Sequence, residues 1–205
     1  MFNLFYYKSI IIIKLYYIKV EREKREPKKA QLVKSAPELE RKFLIWEEGQ
    51  YFAENELNKL FPSFSSIREY IEAEGKLILQ GYLRVHPDFN HELRLRHYGN
   101  QSFFTIKYPI SIGKFEIEFG IPNCVFIKNW HKTKGKQLRK IRCIKEISDF
   151  KVEIDFFLDK NLITAEIETK SQEELEKIPI LGKEITHDKN YSNYYLASKG
   201  DKNGR

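Results

Sequence analysis

The sequence predicts a mainly β protein of the α+β class, with an antiparallel sheet or barrel and a few helices. Most of the gaps between the predicted strands are short and turn-like, which favours antiparallel neighbours. With 205 residues and 41% hydrophobic residues, the chain can form one sizeable core. The main observation is that polar and apolar residues alternate, as in half-buried strands, over eight segments: 38–43, 81–85, 91–97, 103–108, 114–121, 138–144, 149–157 and 163–170.

The first 35 residues differ from the rest of the chain. Residues 1–20 are mostly apolar, but Lys8, Lys14 and Lys19 interrupt them, so they match neither a spanning helix nor a signal peptide. We expect no firm membrane association. Residues 21–35 are a charged linker. The sequence therefore predicts three parts: a flexible leader and linker over 1–35, one domain over 36–198, and a disordered tail over 199–205.

Helical periodicity interrupts the strands in three places. The first helical stretch is broken at Pro62, and Ser66 with Glu69 forms a candidate capping box in its second half. Ser171 is the candidate N-cap of another helix, and a third short helix is expected around Trp130. These predicted helices lie on the periphery of the sheet, within 53–74, 172–178 and 121–138.

The positive net charge is concentrated in the leader. Residues 1–35 hold nine lysines and arginines against three acids, and the remaining 170 residues hold 27 against 26. Because the domain itself is nearly neutral, we expect no nucleic-acid partner. Cys124 and Cys143 are the only cysteines and form no Cys-x-x-Cys pair, which argues against a disulfide framework or a zinc site. A reducing compartment, the cytoplasm, is predicted.

Like-charged residues recur two positions apart in the predicted strands. Residues at i and i+2 project from the same face of a strand, so each such strand has a charged face and an apolar face. Lys42 and Lys107 add further cations to these faces. The acidic pairs are Glu38/Glu40, Glu116/Glu118, Glu153/Asp155 and Glu166/Glu168, and the basic pairs are Arg94/Arg96 and Lys140/Arg142.

Two interpretations of the charged faces remain open at this point. In one, the charged face of each strand is simply in contact with solvent, as in many antiparallel sheets. In the other, the charged faces enclose the interior of a barrel. Carboxylates would there hold Mg²⁺ or Mn²⁺, and lysines and arginines would bind phosphate. Such a site would suit a polyphosphate that carries a metal ion.

The ordered motifs resemble those of the CYTH superfamily, the triphosphate tunnel metalloenzymes. Glu38, Glu40 and Lys42 match the Glu-x-Glu-x-Lys signature of that family. The resemblance spans about residues 36–198. Further matches follow in the family's order, at 80–83, 92–96, 105–107, 115–118, 139–142, 153–156 and 165–168, with a closing motif in 181–186, 191–193 and 196–197.

The resemblance implies a closed, eight-stranded antiparallel barrel around a charged tunnel, and a metal-dependent triphosphatase. By this likeness Tyr82 and Lys140 are the catalytic residues, although Tyr82 is also compatible with a packed aromatic and Lys140 with a plain phosphate clamp. The implied phosphate-binding residues are Lys42, Arg94, Arg96, Lys107, Lys140, Arg142 and Lys183. The implied ligands of Mg²⁺ or Mn²⁺ are Glu38, Glu40, Glu116, Glu118, Glu153, Asp155, Glu166 and Glu168.

The expected substrate is inorganic triphosphate or a small organic triphosphate, bound by a monomer or a homodimer. One alternative is a class IV-type adenylyl cyclase, which would convert ATP to cyclic AMP. The other is a non-catalytic module that binds polyphosphate or a nucleotide with the same cations. The sequence alone does not decide among the three.

Overall fold

Ten antiparallel strands dominate the computed structural model, which describes residues 30–84, 91–111 and 114–199. The prediction of a mainly antiparallel β protein with few helices is confirmed. The strands are β1 Gln31–Glu47, β2 Gln50–Tyr51, β3 Lys76–Tyr82, β4 Glu92–Tyr98, β5 Gln101–Pro109, β6 Lys114–Ile121, β7 Gln137–Ile147, β8 Phe150–Phe157, β9 Leu162–Thr169 and β10 Lys183–Glu184.

The strands follow one another in the sheet in the order β6-β5-β4-β3-β7-β8-β9, and β1 pairs at both ends of that series. The first half of β1 pairs with β6, from Gln31 opposite Gly120 to Glu38 opposite Lys114. Its second half pairs with β9, beginning with Leu39 opposite Thr169. The two strands beyond the expected eight, β2 and β10, have two residues each and pair with β1.

Two strand boundaries differ from the prediction. Strand β1 covers Gln31–Glu47, whereas the alternating pattern placed a strand over 38–43, because its first residues pair with β6 although their sequence is that of a charged linker. Strand β3 covers Lys76–Tyr82, whereas the alternating pattern placed a strand over 81–85. Gly81 lies where β3 passes closely over Thr133, since an added Cβ would stand 2.4 Å from the Thr133 hydroxyl oxygen. Only glycine fits there without displacement.

The described ranges contain five short α-helices beside the strands, and the three predicted helical regions are confirmed. Pro62 separates the first two helices as expected, but the capping box consists of Ser63 and Ser66 and not of Ser66 and Glu69. Ser171 caps its helix by accepting a hydrogen bond from the backbone of Glu174. None of the helices in the described ranges has the length and apolar character that a membrane span requires. The helices are α1 Asn55–Leu60, α2 Phe64–Glu74, α3 Asn123–Trp130, α4 Gln172–Glu176 and α5 Asn193–Lys199, and short 3₁₀ turns cover His131–Thr133 and Lys189–Tyr191.

The larger hydrophobic core lies between the apolar faces of β1, β8 and β9 and the first two helices. Phe43, Ile154 and Ile167 are fully buried there against Ile67 and Ile71 of α2. Because alternate residues of these strands point the other way, burying this face turns the charged residues to the opposite side of the sheet.

A second core cluster joins α5 to the sheet. Leu196 and Ala197 of α5 pack with Leu44, Leu138 and Phe157. This packing brings the segment after β10 to the charged side of the sheet, where the candidate site lies.

Candidate active site

A cavity of about 380 Å³ lies among the charged faces of the strands. The charged residues therefore line a cavity, and the interpretation that they lie on an open outer surface is wrong for these strands. Six of the predicted cations line it, namely Lys42, Arg94, Arg96, Lys107, Lys140 and Arg142, together with six of the predicted acids, Glu40, Glu116, Glu118, Glu153, Glu166 and Glu168.

One group of ion pairs, the β4–β6 cluster, consists of Arg94, Arg96, Lys107, Glu116 and Glu118. The Arg96 guanidinium donates to Glu118 with Nη2 at 2.7 Å from Oε2, and Lys107 Nζ lies 2.7 Å from Glu116 Oε2. Arg94 Nη2 is 3.3 Å from Glu118 Oε2. The Arg96 Nε is buried and, within the described ranges, has no hydrogen-bond partner. Leaving a buried donor without a hydrogen-bond partner destabilises the folded protein, so Arg96 has a donor that an additional acceptor would satisfy.

The second group, the β7–β9 cluster, joins strands β1, β7, β8 and β9. Its residues are Lys42, Lys140, Arg142, Glu153, Asp155 and Glu166. The Arg142 guanidinium donates two hydrogen bonds to Asp155, from Nε to Oδ1 and from Nη2 to Oδ2, and each is 2.6 Å long. Lys140 Nζ lies 2.5 Å from Asp155 Oδ2, and Lys42 Nζ lies 2.5 Å from Glu166 Oε1. Arg142 also pairs with Glu153.

Burial shifts the pKa values of these clusters in both directions. Desolvation, followed by the charge of Arg142, lowers the pKa of Lys140 to about 8. Burial alone would raise the pKa of Asp155, but Arg142 and Lys140 outweigh it and hold the pKa below its usual value. Burial likewise opposes Lys107 and Arg94 at Glu116, and the two cations prevail, so its pKa is lowered to about 2. Asp155 and Glu116 thus stay ionised at neutral pH, whereas the lowered pKa of Lys140 lies closer to it.

Tyr82 and Gln80 belong to the wall that β3 contributes. Both side chains are nearly inaccessible, and Gln80 Nε2 donates to Tyr82 Oη at 2.8 Å. The rings of Tyr82 and of Tyr194 from α5 pack edge to face, with ring centres 5.1 Å apart. Burial raises the pKa of the Tyr82 phenol above its usual value, so the hydroxyl is a neutral donor at physiological pH.

The segment 185–194 forms a wall that sequence reasoning did not assign to the site. Thr186 Oγ1 accepts a hydrogen bond from the backbone nitrogen of Lys42 at 3.0 Å, and Tyr191 Oη donates to Glu47 at 2.7 Å. Asn193 lines the cavity with a buried Oδ1 that has no hydrogen-bond partner in the described part of the chain. The closing motif of the family resemblance covers part of this segment, but by likeness it indicates only Lys183 as a site residue.

Three of the predicted site residues are placed differently from the rest. Lys183 is exposed on β10 and does not line the cavity, and its Nζ lies 6.0 Å from the centre of the Phe52 ring. Asp155 is completely buried behind the lining, where it holds Lys140 and Arg142. The side chain of Glu38 lies outside the described part of the structure. The sequence also missed Lys34, Gln80, Glu92 and Lys114, which line the cavity.

A curated relative identifies the family. No family model matches the sequence. However, an inorganic triphosphatase from Nitrosomonas europaea is 33% identical over 124 residues, which cover 58% of this chain and 82% of the relative. The chain belongs to the CYTH superfamily. The resemblance found in the sequence motifs is thereby confirmed.

Solved structures also resemble this CYTH protein. The crystal structure of an inorganic triphosphatase is 29% identical, covers 78% of this chain and 94% of its own, and has a TM-score of 0.48. A candidate adenylate cyclase from Bacillus halodurans is 18% identical, covers 71% of this chain and 87% of its own, and has a TM-score of 0.49.

The carboxylates of this CYTH protein have the chemistry of a Mg²⁺ or Mn²⁺ site but do not form a complete cage. In the described ranges, no three Asp, Glu, His or Cys side chains converge closely enough to hold a metal ion. Glu116, Glu118 and Glu166 instead accept from cations. Mg²⁺ commonly binds through one or two carboxylates together with substrate phosphates. The residues therefore fit a metal ion that arrives with a polyphosphate.

Proposed function

We propose that this CYTH protein is a metal-dependent triphosphatase that hydrolyses inorganic triphosphate or a small organic triphosphate. The observation that carries the proposal is the convergence of nine lysines and arginines on one cavity, seven of them from β1, β4, β5 and β7. The homology to an inorganic triphosphatase supports the same activity. We further propose that the cavity is a tunnel inside a closed barrel of eight strands. The pairing of β1 with both β6 and β9 supports this closure.

The charge distribution suits a chain of three phosphates better than a single phosphate. The two clusters present cations from opposite parts of the strand series, so phosphoryl groups along the chain can each meet a cation. Arginines bind phosphate oxygens with two parallel hydrogen bonds, and Arg96 offers its unpaired Nε. Phosphoryl transfer depends mainly on positioning and on neutralising spread negative charge, which this cavity is built to do.

Mg²⁺ or Mn²⁺ would be held by carboxylates of the lining together with the substrate. The proposed pool comprises Glu40, Glu116, Glu118, Glu153, Glu166 and Glu168, which line the cavity, with Glu38 from the sequence prediction as a further member. A bound metal ion supplies Lewis-acid polarisation of the phosphoryl oxygens and an acidified water. Asp155 does not line the cavity but contributes to the same site, because it orients both Lys140 and Arg142.

Lys140 and Tyr82 are the proposed groups beside the reacting phosphoryl. Lys140 has the lowered pKa that lets an amine exchange a proton near neutral pH, and in its charged form it binds phosphate oxygens. Tyr82 donates a hydrogen bond from its neutral hydroxyl. Cys124 and Cys143 are free thiols, which supports our proposal that the enzyme works in the cytoplasm.

The deciding assay measures phosphate release from inorganic triphosphate, thiamine triphosphate and ATP, each with Mg²⁺, Mn²⁺ or EDTA. We expect fast, metal-dependent release from triphosphate and little from ATP. Cyclic AMP formed from ATP would instead identify a cyclase. Binding of triphosphate without turnover would identify a binding module.

Two variants connect that activity to the cavity. Glu40→Ala and Arg96→Ala are expected to abolish turnover while the fold, measured by circular dichroism, is retained. Arg41→Ala is the matched control, because Arg41 pairs with Glu184 outside the cavity and should leave turnover unchanged. Equal loss in all three variants would contradict the proposed location of the site.

A further inference from the structure

The side chain of Gln80 has a position in the cavity wall that the proposed reaction does not yet use. Strand β3 places it opposite Arg96 of β4 on one side and Leu138 of β7 on the other. Its exposed fraction is 1%, yet it lines the cavity. The hydrogen bond that the structure gives this amide runs from Nε2 to the hydroxyl of Tyr82. A buried polar side chain that donates a hydrogen bond to a proposed catalytic group is suited to orient that group.

The rest of Tyr82 is held independently of Gln80. Its backbone nitrogen donates to the carbonyl of Lys136 at 3.0 Å, and its ring packs edge-on against Tyr194. The ring is also part of the buried cluster that joins α5 to the sheet. With backbone and ring fixed, the remaining freedom of Tyr82 is the rotation of its O–H bond.

Gln80 restricts the rotation of the Tyr82 O–H bond because its amide nitrogen acts as a hydrogen-bond donor to Tyr82 Oη. A phenol oxygen both accepts and donates, and its hydrogen turns to suit its surroundings. The Nε2–H of Gln80 occupies the acceptor side of Tyr82 Oη, so the Tyr82 proton cannot point back at the same nitrogen. It must point elsewhere, and Tyr82 lies in the lining of the cavity. A phosphoryl oxygen is an acceptor for that proton.

We propose that Gln80 is a positioning residue that orients the Tyr82 hydroxyl to donate its hydrogen bond to a phosphoryl oxygen of the substrate. This inference rests on the proposed function. Gln80 itself does not contact the reacting atoms. We therefore expect its replacement to change turnover only when the Tyr82 hydroxyl is present.

A double-mutant cycle on kcat tests this coupling. Gln80→Met removes the amide donor at similar length, and Tyr82→Phe removes the hydroxyl but keeps the ring against Tyr194. We expect Tyr82→Phe to lower kcat about a hundredfold, as for loss of one preorganised donor to a developing charge. Gln80→Met should lower kcat about tenfold in the wild-type background and less than about twofold in Tyr82→Phe. The Kd of triphosphate, measured by calorimetry, should change little.

Two further variants serve as a second test and as a control for nonspecific effects on kcat. Gln80→Glu keeps the size and polarity of the side chain but replaces the donor by an acceptor, so it should also lose kcat in a Tyr82-dependent way, even if Gln80→Met fails to fold. Gln137→Met is the matched control. Gln137 is a glutamine of β7 whose amide donates to Thr133 at 3.0 Å outside the cavity, and its replacement should leave kcat unchanged.

The outcomes separate this inference from the proposed function. Equal losses from Gln80→Met with and without the Tyr82 hydroxyl, or no loss at all, would overturn the positioning role while triphosphatase activity stands. If the wild-type protein binds triphosphate but never turns it over, the proposed function fails, and the positioning role fails with it. A Tyr82-dependent loss with retained triphosphate binding confirms the positioning role.

Discussion

The β4–β6 cluster and the β7–β9 cluster both pair lysines and arginines with carboxylates, but their most exposed cations and their most buried members differ. In the β4–β6 cluster every member lines the cavity, and the side chains of Arg96 and Lys107 keep 19% and 13% of their exposure. In the β7–β9 cluster, Asp155 is fully buried and the Lys140 side chain is only 1% exposed. Ion pairs of similar composition are therefore removed from water to different extents in the two clusters.

This difference in burial suits the two clusters to different chemical tasks. The more open cluster can exchange its internal ion pairs for phosphate oxygens, because its cations reach the cavity and water still solvates them in part. The deeper cluster holds its geometry through Asp155 and lowers the pKa of one lysine by burial. We expect the first cluster to govern substrate binding and the second to govern both stability and proton exchange.

The largest effect is expected from Asp155→Ala. The change leaves Lys140 and Arg142 buried without their shared carboxylate, and breaking such a buried pair costs about 3–5 kcal/mol. The free energy of unfolding, measured by urea denaturation, should fall by that amount. A loss below about 1 kcal/mol would mean that the deep cluster does not support the fold.

Arg96→Lys should affect activity and leave the stability almost unchanged. Arg96 contacts both oxygens of Glu118 through a single nitrogen, Nη2, and the ammonium group of a lysine cannot present the further N–H donors of the planar guanidinium to the cavity. We expect kcat/KM for triphosphate to fall about a hundredfold, or about 2.7 kcal/mol in transition-state free energy. Steady-state kinetics with triphosphate measures this fall.

Arg41→Lys is the matched control for that change. Arg41 contacts both oxygens of Glu184, with Nη2 at 2.6 Å and Nε at 3.1 Å, but it does not line the cavity. Its kcat/KM should stay within about twofold of wild type. A similar fall in both variants would show that the loss is not specific to the cavity.

The pH dependence of stability in the metal-free protein should distinguish the clusters. Glu116 has its pKa lowered to about 2, so its contribution is present above its usual pKa of 4.5 and is lost as the pH falls from 4.5 to 2. Lys140 has its pKa lowered from 10.5 to about 8, so the unfolded chain binds the extra proton between these values. Its contribution therefore increases as the pH rises from 8 to 10.5.

Single variants identify the groups that cause the change of stability on the acid side and on the alkaline side. Urea denaturation with EDTA present should show a shallower acid slope in Glu116→Gln and a loss of the alkaline rise in Lys140→Met. The acid slope should not vanish, because Glu166 and Asp155 also have lowered pKa values and lose stability in the same direction. An alkaline rise that persists in Lys140→Met would show that another group causes it.

The smallest effect is expected from Asp159→Ala. Asp159 pairs with Arg139, the residue beside Lys140 on β7, but on the outer side of the strand, where its side chain is 33% exposed. Exposed pairs contribute between 0 and about 1 kcal/mol, so the free energy of unfolding should fall by less than about 1 kcal/mol. A cost equal to that of Asp155→Ala would remove the distinction between inner and outer pairs.

Much of this arrangement could be predicted from local pattern. Alternation with a period of two places Arg94 with Arg96, and Glu116 with Glu118, on one face whatever the strand pairs with. The likeness to CYTH motifs added the expectation that those faces meet around phosphate. Pattern failed where a residue's role depends on distant contacts. Gln80 was passed over because nothing local shows that its amide meets a tyrosine hydroxyl, and helix α5 depends on the packing of Leu196 and Ala197.

The sequence by itself determined which residues share a face and what charges those faces carry, since both follow from residue identity and strand geometry. Only the tertiary structure decided which acid meets which base and how far each pair is removed from water. Arg142 and Asp155 come together through the register of β7 on β8, and Lys42 meets Glu166 through the register of β1 on β9. Register and burial depend on the whole packed sheet, and they set the pKa of Lys140 and the cost of losing Asp155.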